Sequence, residues 1–200
     1  MKNIGFVLLL TLSLATQIGA QAQGAQAQGQ GQRGPAFQGK PMPPNMPGAA
    51  TIIPNGDLDN IVKGITSAVG DVAARVLPTS SGNVGTYIIH YEPAKVPADP
   101  VRGSYHSEIT EIYVVLRGEA SLLLGGQLDN AAEQDPNGNG AKTLFGPGAG
   151  GVMKGYETRK IGPGDVVVIP PGVPHQTGEV LSKLDLLTIR IDPNKKITLK

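Results

Sequence analysis

Three histidines, His90, His106 and His175, are the only imidazoles in a chain of 200 residues that has no cysteine and no tryptophan. Without thiols there are no disulfides, thiolate zinc sites, iron–sulfur clusters, thiolate haem ligands or cysteine nucleophiles. Any metal must then be held by nitrogen and oxygen. Histidines this far apart in sequence share a site only if the fold gathers them, so the place of each imidazole in the fold decides the chemistry open to it. Two short segments carry the residue types that matter. One is Gly164-Asp165-Val166-Val167-Val168-Ile169-Pro170-Pro171-Gly172-Val173-Pro174-His175, which reads as a turn, a buried strand, a Pro-Gly turn and a histidine at the start of the next strand. The other holds His106, Glu111 and Gly118, with the strand-like run Ile112-Tyr113-Val114-Val115-Leu116-Arg117 between the last two.

The elements that must position these residues are mostly strands. Apolar segments rich in β-branched and aromatic residues recur at 86–91, 111–116, 120–124, 166–169 and 184–191, separated by Gly-Gly, Asn-Gly, Pro-Gly and Gly-Asp punctuation. An α/β fold would need helices between them, so an all-β sandwich or barrel follows. Only one helical pattern stands out: Leu58, Ile61, Val62, Ile65 and Val69 recur at helical spacing, with Asn55 or Asp57 able to cap the start and Gly70 able to end it. This short N-terminal helix is expected to pack on the barrel or on a partner subunit. Residues 125–155 are glycine-rich with little periodicity, apart from a strand expected near 143–145, and suggest a hairpin excursion at the barrel mouth. No internal repeat is evident, which favours one barrel over two.

Before this domain the chain changes character. Lys2, the apolar run over residues 4–15 and the small residues that follow predict a secretory signal peptide over residues 1–22, with cleavage after Ala20 or Ala22. The apolar run is short for a membrane span. Residues 23–50, first Gln/Ala/Gly-rich and then Pro-rich, cannot bury enough apolar surface to offset ordering entropy and predict a disordered tether to a domain over 51–200. Export to the periplasm or the medium is the corresponding localisation. Lys2, Arg33 and Lys40 lie before residue 51, which leaves 14 of the 17 basic residues against all 16 acidic ones. A domain with that balance and no basic run argues against nucleic acid, and against a membrane once the leader is removed.

The 164–175 segment resembles the second motif of the cupin superfamily: glycine, five residues, proline, one residue, glycine, two residues, histidine, three residues, asparagine. Gly164, Pro170, Gly172 and His175 match, and Glu179 stands at the asparagine position. The first cupin motif, a glycine followed by His-x-His, glutamate and a further glycine, is matched by His106 as second histidine, Glu111 and Gly118, with Ser104 where the first histidine would stand. The resemblance covers roughly residues 84–192, and more narrowly it is to secreted bacterial single-domain cupins with a cupin-2-like conserved barrel. It implies a single cupin jelly-roll β-barrel.

By that resemblance His106, Glu111 and His175 form a 2-His-1-carboxylate set for a divalent ion, Fe, Mn, Zn or Ni, with positions left for substrate, oxygen or water. Strand alternation places Tyr113 and Val115 on the same face as Glu111, and Thr177 on that of His175. Tyr113 is therefore a candidate proton donor or substrate-binding group. The other polar residues have plainer expectations, each with an alternative: His90 a hydrogen-bonded strand histidine rather than a member of the site, Ser104 a surface-loop residue rather than one facing the metal through a water, Arg190 an exposed rim residue rather than a group for a substrate carboxylate, and Glu108 a solvated charge rather than a replacement ligand. The resemblance implies a metal-dependent enzyme acting on a small organic molecule by dioxygenation, isomerisation, decarboxylation or lyase chemistry, and the fold does not choose among these. A noncatalytic small-molecule or metal-binding cupin is the alternative, and a mainly structural extracellular protein a third. A homodimer is the assembly the resemblance implies.

Overall fold

Alternation of burial organises the domain. In the computed structural model, which describes residues 50–97 and 99–199, Glu111, Tyr113 and Val115 are buried while Ile112 and Val114 take the other face of the same strand. The leader expected at 1–22 and nearly all of the tether expected at 23–50 lie outside the described residues.

The elements run α1 (Asn55–Gly64), β1 (Val69–Thr79), β2 (Gly82–Tyr91), β3 (Arg102–His106), β4 (Thr110–Arg117), β5 (Ala120–Leu124), β6 (Gln127–Glu133), a π-helical turn (Ala141–Phe145), β7 (Gly148–Lys154), β8 (Glu157–Ile161), β9 (Val166–Ile169), β10 (His175–Val180) and β11 (Leu184–Asp192). One sheet is ordered β1-β2-β11-β4-β9 and the other β6-β7-β3-β10-β5-β8. Every paired neighbour is antiparallel. The all-β jelly-roll barrel with a short N-terminal helix is the architecture observed. None of the described helices is long and apolar enough to cross a membrane.

Two interior clusters fill the barrel. One gathers Tyr113, Val115, Leu122, Ile169, Leu184 and Leu186 from both sheets. The other gathers Val76, Tyr87, Ile109, Leu144 and Ile197, with Phe145 packed against it. Outside, α1 lays Ile61 on Ala74 and Ile88 of the five-stranded sheet. Burying Ile61 contributes about 1.5–3 kcal/mol, enough to decide whether so short a helix forms at all.

The helix is shorter than the sequence suggested. It ends at Gly64, and Val69 and Gly70 begin β1, because the edge of β2 offers them a ladder that an isolated turn of helix cannot match. Neither Asn55 nor Asp57 caps it: Pro54 holds the cap position, its carbonyl accepts from Asp57 N–H at 2.9 Å, and the Asn55 amide instead reaches Asp59. The strand expected near 143–145 is the π-helical turn, in which the Thr143 hydroxyl donates back to the Asn139 carbonyl at 2.6 Å. The 125–155 excursion is a hairpin, but one sewn into the sheet, with β6 paired to β7 and β7 paired to β3.

The glycines of the two motifs set turn geometry. At Gly118 φ is 85° and a β-carbon would collide with the Lys183 carbonyl oxygen, so glycine alone makes the turn from β4 to β5. At Gly172 φ is 80°, and its N–H donates to the His106 carbonyl at 2.7 Å, tying the loop before β10 to the end of β3.

Candidate metal centre

Three strand ends deliver the chemistry. β3 finishes on His106, β4 presents Glu111 as its second residue and β10 starts at His175. All three side chains are buried, and one ligand atom from each lies within 4.8 Å of the others. His106 Nε2 stands 3.3 Å and His175 Nε2 3.2 Å from the same Glu111 oxygen, Oε2. The two imidazole centroids are 5.2 Å apart, and the Phe145 ring stacks on His106 with its centroid at 5.7 Å. The sequence separation of His106 and His175 is thus closed by β3 and β10 being neighbours in one sheet.

Tyr113 also reaches the centre. Two residues beyond Glu111 on the same pleat, its hydroxyl donates to Glu111 Oε2 at 2.8 Å and its ring meets His175 edge-on. Burial, reinforced by the Glu111 charge, pushes its pKa well above the usual tyrosine range, so the phenol stays protonated. The strand alternation that placed Tyr113 beside Glu111 is what the fold exhibits.

Arg190 departs from the expectation of an exposed rim residue, because it is fully buried. The strand on which it sits, β11, runs through the middle of its sheet and pairs Arg190 directly with Glu111. Its Nε donates to Glu111 Oε1 at 2.6 Å, its terminal nitrogens to the two Asp71 oxygens at 3.2 and 2.9 Å, and one of them to the Leu144 carbonyl at 3.1 Å. The guanidinium also lies 4.3 Å from the centroid of the Tyr87 ring. A buried arginine needs such partners, and no local sequence signal marks them, since Asp71 and Leu144 lie on distant segments. Burial opposes ionisation of Glu111, but Arg190 and then His106 overcome it and hold the carboxyl well below its usual range. Arg190 in turn is kept charged, Asp71 and Glu111 outweighing burial.

The remaining polar residues separate cleanly from the centre, with one exception. His90 is the hydrogen-bonded strand histidine expected: Nδ1 lies 2.6 Å from Asp185, whose other oxygen meets Arg117. Glu108 pairs with Lys196 and Asn194. Ser104 is the exception. Expected in a surface loop, it is the middle residue of β3, fully buried, and the register partner of His175.

The donor set suits a divalent cation. His175 Nδ1 lies 3.0 Å from the Val173 carbonyl, which can only accept, so Nδ1 carries a proton and Nε2 is the ring atom turned toward Glu111. Burial lowers the pKa of His106 in spite of Glu111 beside it, which favours the neutral, metal-ligating form of that ring. Both Nε2 atoms and the carboxylate oxygen thus face one point, the arrangement in which three ligand atoms share a cation. The charges around Arg190 agree: the fully buried Glu111 and the part-buried Asp71 flank it, an excess of one negative charge that a divalent ion would reverse. Two imidazoles and a carboxylate are the donors that Fe(II), Mn(II), Ni(II) or Zn(II) accept.

No protein-family model and no curated protein sequence matches the chain. Among solved structures it is similar to oxalate decarboxylase from Bacillus subtilis, at 14% identity and a TM-score of 0.35, over 56% of this chain but only 22% of that one. It is similar to a conserved protein with a double-stranded β-helix domain from Klebsiella pneumoniae, at 15% identity and a TM-score of 0.35, over 62% of this chain and 79% of that one. A cupin-2 conserved barrel domain protein from Salinispora arenicola aligns over 62% of this chain and 76% of that one, at 17% identity and a TM-score of 0.35. Similarity is low in each pair.

Proposed function

We propose that this chain is a cupin-type metalloprotein that holds one divalent ion through His106 Nε2, Glu111 and His175 Nε2, and that it is an enzyme acting on a small organic molecule at that centre. The observation that carries the reading is the meeting of two imidazole nitrogens with one carboxylate oxygen at 3.3 and 3.2 Å, all three side chains being buried. A divalent ion held by three protein ligands supplies a Lewis acid with positions left for substrate, water or oxygen.

The chain's own residues supply the rest. Arg190 occupies Glu111 Oε1 and so turns Oε2 toward the imidazoles. The Val173 carbonyl fixes the ring orientation of His175. Tyr113 keeps a proton on its hydroxyl beside the carboxylate, where it can donate a hydrogen bond to a developing negative charge. Phe145 stacks on His106 and brings apolar surface to that side of the centre.

Within this reading the domain is exported, to the periplasm or the medium, and works as a homodimer without nucleic acid or membrane. A noncatalytic metal-binding or small-molecule-binding cupin is the second reading. The near-complete burial of the three ligands favours it, since a closed site retains a metal better than it admits a substrate. The experiment is turnover: metal-loaded protein is screened against small organic acids, sugars and phenols with oxygen uptake and product formation both followed. The enzyme reading expects turnover that His106→Ala and His175→Ala abolish. A tightly bound ligand recovered unchanged, with no turnover on any class, supports the binder instead.

A further inference from the structure

Ser104 sits at the meeting of the two histidine strands. On β3 it shares a face with His106, two residues on, and across the ladder to β10 its register partner is His175. On its other side the partner in β7 is Gly150, which contributes no side chain. Ser104 is fully buried, and its Oγ has no hydrogen-bond partner among the described residues. Buried hydroxyls are seldom left so, because losing water without a substitute is costly. A donor-acceptor group beside two metal-ligating imidazoles, with a glycine on its open side, has the surroundings of a ligand contact.

Reach decides what kind. A seryl oxygen sits directly on Cβ, whereas an imidazole Nε2 stands at the far side of a ring, so the hydroxyl stops short of the point on which His106, Glu111 and His175 converge. We propose that Ser104 is the anchor for an exogenous oxygen ligand of the metal, its hydroxyl hydrogen-bonding a water-derived or carboxylate oxygen that completes the coordination. This deepens the metal reading of the preceding subsection and rests on it. The consequence is a centre with three protein ligands and one position kept by design for an exchangeable oxygen donor, positioned by a hydroxyl that can donate to an anion or accept from a neutral ligand.

The test uses Co(II) as the metal and acetate as the probe, read by the visible d–d spectrum of the Co(II)-loaded protein, with melting temperature as the check on folding. Wild type should show a saturable acetate-dependent change. Ser104→Ala should keep its Co(II) and its fold but bind acetate at least about tenfold more weakly, the usual scale for losing a group that orients a ligand at a metal. Ser104→His should place a protein nitrogen in the same position, bind Co(II) more tightly and lose the acetate response. Ser104→Ala alone carries the test if the histidine variant does not fold. Equal acetate affinity in wild type and Ser104→Ala, or a wild-type spectrum that acetate leaves unchanged, overturns the role of Ser104 while leaving the metal centre standing. A folded wild type that takes up no Co(II) overturns both.

Discussion

Arg190 Nε lies 2.6 Å from Glu111 Oε1, and both side chains have no solvent exposure at all. Register fixes the pair, since Arg190 and Glu111 are direct partners across β11 and β4. The same guanidinium is shared with Asp71 on β1, so one side chain ties the centre to three strands of its sheet.

Removing that cation leaves the fully buried Glu111 and the part-buried Asp71 without their counter-charge. Arg190→Gln should destabilise the domain by about 3–5 kcal/mol, the usual cost of breaking a buried ion pair from one side. Arg190→Lys keeps the charge but loses the fork that spans Glu111, Asp71 and the Leu144 carbonyl, and should recover only part of that loss. Urea unfolding of the three proteins in the absence of metal measures this. Equal midpoints would show that the network adds nothing to stability.

Alkaline pH should unfold the domain through its buried phenols. Tyr87 has no exposed surface, and burial pushes its pKa up to about 12, against the opposing charge of Arg190. An unfolded tyrosine ionises at about 10, so its contribution is whole below that pH. It is lost as pH rises through the folded value, because the unfolded chain then releases a proton that the folded one retains. Stability should therefore fall between pH 10 and about 12, and Tyr87→Phe should reduce the slope. Unfolding free energy against pH, followed beside tyrosinate absorbance, checks both sign and window.

Ile61 is the test of how α1 is held. Its side chain is almost wholly buried against Ala74 and Ile88 on the outer face of the five-stranded sheet. Ile61→Ala should cost about 2–5 kcal/mol and leave metal uptake unchanged, since the centre lies on the other side of that sheet. Loss of metal binding in this variant would mean that the helix braces the centre as well.

Much of the centre was legible in sequence because it depends on local spacing. The glycine and proline turns around residues 164–175 and the alternation from Glu111 to Val115 place His175, Glu111 and Tyr113 without knowledge of distant contacts. Sequence alone puts Arg190 on an exposed rim and Ser104 in a surface loop, because the burial of both is decided by sheet order. Arg190 reads as a strand-end charge until β11 is seen to lie between β2 and β4, and Ser104 reads as a loop residue until β3 is seen between β7 and β10. The same applies to β3, β6 and β7, whose Gly-, Ala- and polar-rich sequences carry little strand preference and are held by their neighbours. Residues 143–145 look like a strand by composition, but the chain closes a π-helical turn there, with Leu144 buried and the Thr143 hydroxyl bonded back to the Asn139 carbonyl.

Direct measurement of the ligand set tests the central claim most sharply. Purified protein loaded with Mn(II), Fe(II), Ni(II) or Zn(II) should bind one ion per chain, and X-ray absorption should report two imidazole nitrogens and carboxylate oxygen at about 2.0–2.2 Å. His106→Ala and His175→Ala should each remove the imidazole signal and the rise in melting temperature that the metal gives wild type. A folded wild type that binds none of these ions, or one whose bound ion and melting response survive both substitutions, would contradict the account.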